Sequence, residues 1–208
     1  MRVTLKILLT VAVFVLIYMC YRSIMSPIEF NNEQAKREKA IEQRLIDIRK
    51  AQIEYKNVHK VHAKTFEELE SFLSKEKLPF LIKEGSLTDA QLESGLTERE
   101  AVKKGIIKRD TVWIPAVDTI LGKGYDISKL GIVPGTNKAF EMDTASIKSS
   151  SGYTVAVFEA SVKYDDYLGD LNKQLLINLN HKAEKLKRFP GLCVGSVKEI
   201  NNNAGNWE

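Results

Sequence analysis

One oxygen-rich stretch of this sequence has the composition of a metal-binding loop. Asp165, Asp166, Asp170 and Asn172 fall within eight consecutive positions. Hard cations such as Ca²⁺ bind clustered carboxylate and amide oxygens, so these four side chains form a candidate calcium site. Their spacing does not match an EF-hand loop, and the competing interpretation is a solvated hairpin loop that holds no metal.

The other residue types that carry chemistry do not form a catalytic pattern. His59 and His62 lie three positions apart and His181 is distant, and no pair of cysteines can complete a zinc site with them. The serines at positions 149–151 lack the nucleophile-elbow pattern, and the sequence has no glycine-rich phosphate loop. We therefore predict that the protein is not an enzyme and uses no cofactor.

Composition narrows the class of protein further. The chain has 208 residues, enough for one domain with a proper core in addition to an N-terminal segment. Its net charge is only +4, with lysines and acidic residues interspersed, so no nucleic-acid-binding surface is predicted. Cys20 and Cys193 fall in segments of different character. We expect no internal disulfide and interpret Cys193 as a small buried apolar residue.

The N-terminus contains an uncharged apolar segment over residues 7–21, flanked by Lys6 and Arg22. A bilayer span takes about 20 apolar residues. Apolar residues on both sides of the segment supply the missing length, because the flanking cations can extend toward the headgroups. We predict a transmembrane anchor over residues 1–25. Its membrane-spanning side chains include Ile7, Leu9, Val13, Leu16 and Tyr21.

A cleaved signal peptide is the main alternative to an anchor. The residues that follow the apolar segment, from Met19 to Arg22, do not form a small-residue cleavage site. Basic residues lie on both sides of the segment, so the positive-inside rule decides little. A short basic head before a large domain is the usual signal-anchor arrangement. We therefore predict a single-pass protein of the bacterial inner membrane with its C-terminal domain in the periplasm.

Residues 26–62 are predicted to form a long amphipathic stalk. Ser26, Pro27 and Glu29 have the spacing of a helix start, so the sequence predicts a break between anchor and stalk. Beyond them, apolar residues recur every three or four positions. One interpretation packs this stripe on the protein's own domain, and the other also packs it against neighbouring subunits. The candidate packing residues are Ile41, Leu45, Ile48 and Tyr55.

The stalk resembles those of type IV pilins and type II secretion pseudopilins. The resemblance is carried by residues 34–41, QAKREKAI, and 48–56, IRKAQIEYK. In that family a membrane helix runs into an amphipathic helix, and a loop and a short helix then lead to an antiparallel sheet. Residues 61–73 occupy the place of that loop and short helix. The family's cleavage-site glycine and the acidic residue early in its apolar segment have no counterpart here.

Residues 63–208 are predicted to form a soluble domain. A short helix is expected after a capping Thr65. Connected small helices are expected over residues 83–110, where positions 88–91 and 97–100 have capping-box spacing. Because no strand pattern appears before Thr111, the sheet is expected to come from the last part of the chain.

Three strands are predicted there, over residues 111–117, 138–148 and 153–164. Residues 174–179 are expected to be the hairpin partner of the last of these strands. The same region also fits a helical stripe of Leu171, Leu175, Leu179 and Ala183. The polar tail from Asn201 is expected to fray, except that Trp207 either packs back onto the sheet or contacts a partner.

These patterns together predict an α+β fold: a transmembrane helix continuing into an amphipathic helix, then small helices and an antiparallel sheet. The resemblance implies a pilin-like or pseudopilin-like structural subunit, or an accessory component, of a pilus or secretion assembly. Its partners would be the membrane, further copies of itself or other envelope proteins. The alternatives are an inner-membrane scaffold of such a machine and a periplasmic module that binds a small ligand.

Overall fold

One long helix contains both the predicted anchor and the predicted stalk. The computed structural model describes residues 2–88, 95, 97–149 and 151–208. Helix α1 (Arg2–His59) has 58 residues, a length of about 87 Å at the rise of an α-helix. Its first part stands free of the rest of the chain, and burial begins at Phe30.

The predicted break at Ser26 and Pro27 is wrong, because α1 continues through both residues. An interior proline removes one backbone hydrogen bond. Contacts with the domain hold the helix on both sides of Pro27: Ser26 Oγ accepts a hydrogen bond from Asn172, and Phe30 is buried. Serine, proline and glutamate at this spacing favour a helix start. The pattern does not reveal whether the residues before it are already helical.

The first elements after α1 cover the far end of the stalk. Helix α2 (Phe66–Lys75) begins after Thr65, whose Oγ1 accepts a hydrogen bond from Glu68 N at 3.3 Å. This cap confirms the predicted helix start. Helix α4 (Ala116–Ile120) and a 3-10 turn (Ile127–Lys129) pack beside α2.

The region predicted as small helices over residues 83–110 is partly a β-ribbon. Strands β1 (Lys77–Glu84) and β2 (Lys108–Pro115) pair antiparallel along their whole length. Helix α3 (Glu98–Lys103) lies between them in the chain and begins with the capping box predicted at positions 97–100. The capping box predicted at 88–91 extends outside the described residues.

A three-stranded antiparallel sheet forms the other side of the domain. Its strands are β3 (Glu141–Lys148), β4 (Thr154–Lys163) and β5 (Gly191–Gly195), in that order across the sheet. Helices α5 (Tyr164–Leu168) and α6 (Lys173–Lys185) connect β4 to β5. The strands predicted over 138–148 and 153–164 are therefore confirmed.

The hairpin partner predicted over residues 174–179 is wrong, because those residues lie in α6. Asn172 caps this helix: its side-chain oxygen accepts from the backbone N–H groups of Gln174 and Leu175. The helical stripe is the pattern that prevails, since Leu175 and Leu179 pack against the core and Ala183 is buried. The true neighbour of β4 is β5, which returns to the sheet after α6.

The core lies between the inner face of α1, helix α2 and the sheet. Strand β5 packs directly against α1. Gly195 has a φ of +75°, and a Cβ there would lie 2.2 Å from Phe158 O, so the strand can end this way only at glycine. The large side chains with almost no exposed surface include Ile41, Leu45, Ile48, Leu69, Leu73, Phe158, Tyr167 and Leu168.

The C-terminal tail folds back onto the sheet instead of fraying. Gly205 forms an antiparallel bridge with Val194, and Asn206 N donates to Cys193 O at 3.0 Å. Trp207 is partly buried and packs against the core, which confirms the interpretation that it returns to the domain. The tail therefore belongs to the folded domain.

Candidate membrane anchor and stalk–domain junction

The predicted membrane-spanning residues lie on all sides of the free part of α1. Ile7, Leu9, Val13, Leu16 and Tyr21 expose between 46% and 63% of their surface. The most apolar window of the helix has no buried residue. By length and composition, α1 is the one helix in the described part of the chain that could cross a membrane.

The stalk stripe packs within the chain. Ile41, Leu45 and Ile48 have no exposed surface, and Tyr55 packs edge-on against Phe72 at a ring distance of 5.2 Å. Spacings of four and three place these side chains on one helix face, and α2 and β5 cover that face. The contacts of the three fully buried residues are therefore intramolecular.

Arg37 joins the stalk to the loop after α5. Its guanidinium donates to both carboxylate oxygens of Asp170, at 2.5 and 2.8 Å, and to Tyr167 O at 2.6 Å. It also donates to Glu33 at 3.1 Å. The hydrogen bond from Arg37 holds the pKa of Asp170 below its ordinary value. A bidentate guanidinium–carboxylate pair fixes orientation as well as distance, so the loop is held at one position along the helix.

Tyr167 adds a buried contact at the same place. Its hydroxyl donates to Glu38 at 3.1 Å, while its ring has almost no exposed surface. Burial raises the pKa of Tyr167, and the charge of Glu38 raises it further. Burial, followed by the charge of Glu38, also raises the pKa of Glu42. Tyr167 is therefore a neutral hydrogen-bond donor to the stalk.

The four candidate calcium ligands are engaged in separate contacts. Asp165 accepts from Asn180, Asp166 pairs with Lys138, and Asp170 pairs with Arg37. The Asn172 amide oxygen caps α6, and its amide nitrogen donates to Ser26 Oγ at 3.1 Å. Among the described residues, no cluster of three or more histidine, cysteine, aspartate or glutamate side chains has metal-binding geometry.

The two histidines near the stalk end have different surroundings. His59 Nε2 lies 3.1 Å from Glu76 at the surface. His62 is 4% exposed; its Nδ1 lies 3.3 Å from Gln52 Oε1 and its Nε2 has no hydrogen-bond partner. Burial lowers the pKa of His62 to about 4, and the charge of Lys56 lowers it further. His181 is exposed on α6, distant in sequence from both.

Gln52 organises the turn that follows α1. Its side chain accepts from Ala63 N and donates to Ala63 O, both at 3.0 Å, and has no exposed surface. A buried amide with all of these partners satisfied fixes the direction of the chain as it leaves the helix. No local sequence pattern reveals the roles of Gln52 and Arg37, because each role is defined by partners that fold next to it.

The β1–β2 ribbon exposes apolar side chains on the domain surface. Trp113 is 60% exposed and Phe80 is 52% exposed, and Ile82 and Val112 are also exposed. The outer edges of the ribbon pair with no further strand among the described residues. An isolated two-stranded ribbon is at best marginally stable, and unpaired edges accept further strands. The ribbon is therefore a candidate contact surface for another protein.

The two cysteines stand apart. Cys20 is exposed on the free part of α1, and Cys193 is half-buried in β5. Burial, with the charge of Glu159, raises the pKa of Cys193 to about 11, so its thiol is protonated and weakly nucleophilic.

Comparison of the chain with protein-family models, characterised proteins and solved structures returns no match.

Proposed function

We propose that this protein is a membrane-anchored, pilin-like structural subunit, or an accessory component, of a bacterial envelope assembly of pilus or secretion type. It acts through protein contacts, without catalysis. The anchor is the free part of α1, and the domain lies in the periplasm. The observation that carries the proposal is a single helix whose first part is apolar and exposed on every side, while its second part packs on an α+β domain.

The chain order supports this proposal. A turn and the short helix α2 follow α1, and an antiparallel sheet covers the stalk. The pilins and pseudopilins that the stalk resembles have the same order of elements. An apolar helix exposed on all sides needs either lipid or other apolar helices around it. In an assembly of such subunits, the free parts of neighbouring α1 helices would pack together within the membrane.

Photo-cross-linking of the full chain in native membranes tests the proposal. With a photoreactive residue at Leu16, we expect a ladder of multiples of the 23.5 kDa chain mass. Leu9→Glu should abolish the ladder, because an uncompensated charge in a helix interface within lipid is costly. Asn57→Glu, on the exposed far end of the stalk, is the control and should leave the ladder intact.

Resistance of each variant to alkaline extraction reports whether the chain is still inserted in the membrane. A protein that stays inserted but gives a single monomer band would contradict the subunit proposal. A protein that alkaline treatment releases would contradict the anchor itself.

The exposed ribbon favours a second candidate, an inner-membrane scaffold with one fixed partner. A scaffold needs a partner-binding surface outside the membrane, and the apolar side chains of Phe80, Val112 and Trp113 offer one. In this case a photoreactive residue on the ribbon gives one discrete adduct, and a photoreactive residue in the span gives none.

A further inference from the structure

A cavity of about 270 Å³ lies between the stalk, the end of α6 and the C-terminal tail. Glu38 and Glu42 of α1 form an acidic wall, and Lys182 and Arg188 form a basic one. The volume equals that of about nine water molecules at roughly 30 Å³ each. A small molecule of about ten non-hydrogen atoms therefore fits, near the lower end of the range for ligand pockets.

The acidic wall holds a carboxylate without a partner. Glu42 is half-buried, and its carboxylate makes no hydrogen bond or ion pair with any described residue. Glu38 lies one helical turn before it and accepts two hydrogen bonds, from Gln34 and Tyr167, both on Oε1. Like charges at this spacing repel each other. Burial, followed by the charge of Glu38, raises the pKa of Glu42. A cationic group bound at this wall would offset the repulsion.

The basic wall does not neutralise the acidic one. The side chains of Lys182 and Arg188 are exposed, and neither forms an ion pair or a hydrogen bond with a described residue. Acidic and basic groups thus line one cavity and stay unpaired. A ligand that carries both an ammonium and a carboxylate group can contact both walls, whereas a ligand with a single charge is repelled by one of them.

The remaining part of the cavity is aromatic. Phe189 and Trp207 line it. The Trp207 ring packs over Gly205, where a Cβ would lie 2.5 Å from the ring. Asn206, which precedes Trp207, accepts a hydrogen bond from Cys193 N at 3.1 Å. These contacts hold the tryptophan at the cavity, so its apolar surface is in place for a ligand.

We propose that this cavity binds a free α-amino acid with an apolar side chain. Glu38 and Glu42 accept hydrogen bonds from its ammonium group, which has three N–H donors. Arg188 and Lys182 bind its carboxylate, and its side chain packs against Trp207. This binding activity goes beyond the structural role proposed above and does not depend on it.

Tryptophan fluorescence of the full-length protein in mild detergent tests the inference. The chain has two tryptophans. Trp113 is 60% exposed, so Trp113→Phe leaves Trp207 as the reporter at the cavity. The probes are phenylalanine and leucine, together with phenylalaninamide, which keeps only the positive charge, and N-acetylphenylalanine, which keeps only the negative one. We expect a saturable change with a free amino acid, and about tenfold weaker binding of each blocked form, because each loses a charge-assisted contact.

Two variants separate the two walls. Glu42→Gln should weaken phenylalanine binding about tenfold and remove the preference over N-acetylphenylalanine. It should not lower the free energy of unfolding, because it removes an unpaired charge. Arg188→Gln should remove the preference over phenylalaninamide. Glu54→Gln, on the same helix, and Lys185→Gln, at the end of α6, lie outside the cavity and should keep the wild-type affinity.

Equal affinity for phenylalanine and either blocked form would overturn the inference, because one of the two charged groups would then not be recognised. The absence of a saturable change with both phenylalanine and leucine up to about 10 mM would also overturn it. So would unchanged affinity in Glu42→Gln, since binding would then take place elsewhere.

Discussion

Arg37 makes more contacts across the stalk–domain junction than any other charged residue described there. Arg37→Ala removes the bidentate pair with Asp170 and the hydrogen bond to Tyr167 O. We expect the free energy of unfolding to fall by about 1–3 kcal/mol, since a carbonyl and a carboxylate lose a charged donor. Denaturant titration of the full chain in detergent, followed by circular dichroism, measures the change.

Lys36→Ala is the control for this prediction. Lys36 is 79% exposed and lies 3.8 Å from Glu33, so its loss should change stability by less than about 0.5 kcal/mol. Equal midpoints for the two variants would show that the Arg37 contacts add no stability beyond that of a surface pair.

His62 predicts a loss of stability in mild acid. Its folded-state pKa of about 4 lies below the value near 6.5 expected in the unfolded chain. As the pH falls, the unfolded chain therefore takes up a proton first. The stabilisation is complete above about pH 6.5 and is lost as the pH falls toward 4, by up to about 3 kcal/mol. Unfolding midpoints measured across this range check the prediction.

His62→Asn should flatten this part of the pH profile, because asparagine keeps a donor for Gln52 and does not titrate. His181→Asn, at an exposed position of α6, should retain the wild-type profile. If the profile keeps its slope without His62, another group is responsible for the acid sensitivity.

Residue patterns in the sequence predicted the apolar segment and the buried stripe of the long helix, but not the junction between stalk and domain. Ile7 to Tyr21 is read from composition alone, and Ile41, Leu45 and Ile48 follow from helical spacing. Asp170 was recognised as a candidate calcium ligand, but Arg37, the residue with which it actually pairs, lies 133 residues away. No local pattern encodes such a pair. Asn172 could have been recognised as a helix cap if the helical alternative for α6 had been preferred.

At the scale of elements, the continuity of α1 has the largest effect on the molecule. If the helix continues through Pro27, spin labels at Arg22 and Lys39 should lie about 26 Å apart in one narrow distribution. Both positions are exposed, and the labels require cysteines at these two sites with Cys20 and Cys193 replaced. Pulsed electron paramagnetic resonance measures the distance.

Substitution of the proline gives the matched comparison. Pro27→Ala should leave the distance unchanged and raise stability by up to about 3 kcal/mol, the cost of an interior proline. A broad or shorter distance in the wild-type protein, sharpened by Pro27→Ala, would instead support a break at this residue.

Element types were predictable where one periodicity dominated and not where two competed. Strand β4 is rich in β-branched and aromatic residues, and its position was predicted to within a residue at each end. Residues 174–179 fit both strand and helix, and the Asn172 cap together with core packing decides for the helix. Strand β1 and the first residues of β2 were missed because neither has an alternating pattern of its own.

At the scale of the whole molecule, the β1–β2 ribbon is an apolar surface that the domain leaves exposed. Trp113→Ser should change the free energy of unfolding by less than about 0.5 kcal/mol, because the side chain is 60% exposed. In the scaffold candidate, the same substitution should remove the adduct formed by a photoreactive residue at Phe80. An adduct that survives would assign the partner surface to another part of the domain.

The return of the tail to the sheet makes its susceptibility to proteases a measure of folding. Strand β5 packs against α1, and Arg49 pairs with Glu208 at 2.6 Å. A protease must open these contacts before it can cut between β5 and Glu208. The rate of cutting in the tail therefore reports how often this end of the domain separates from the stalk.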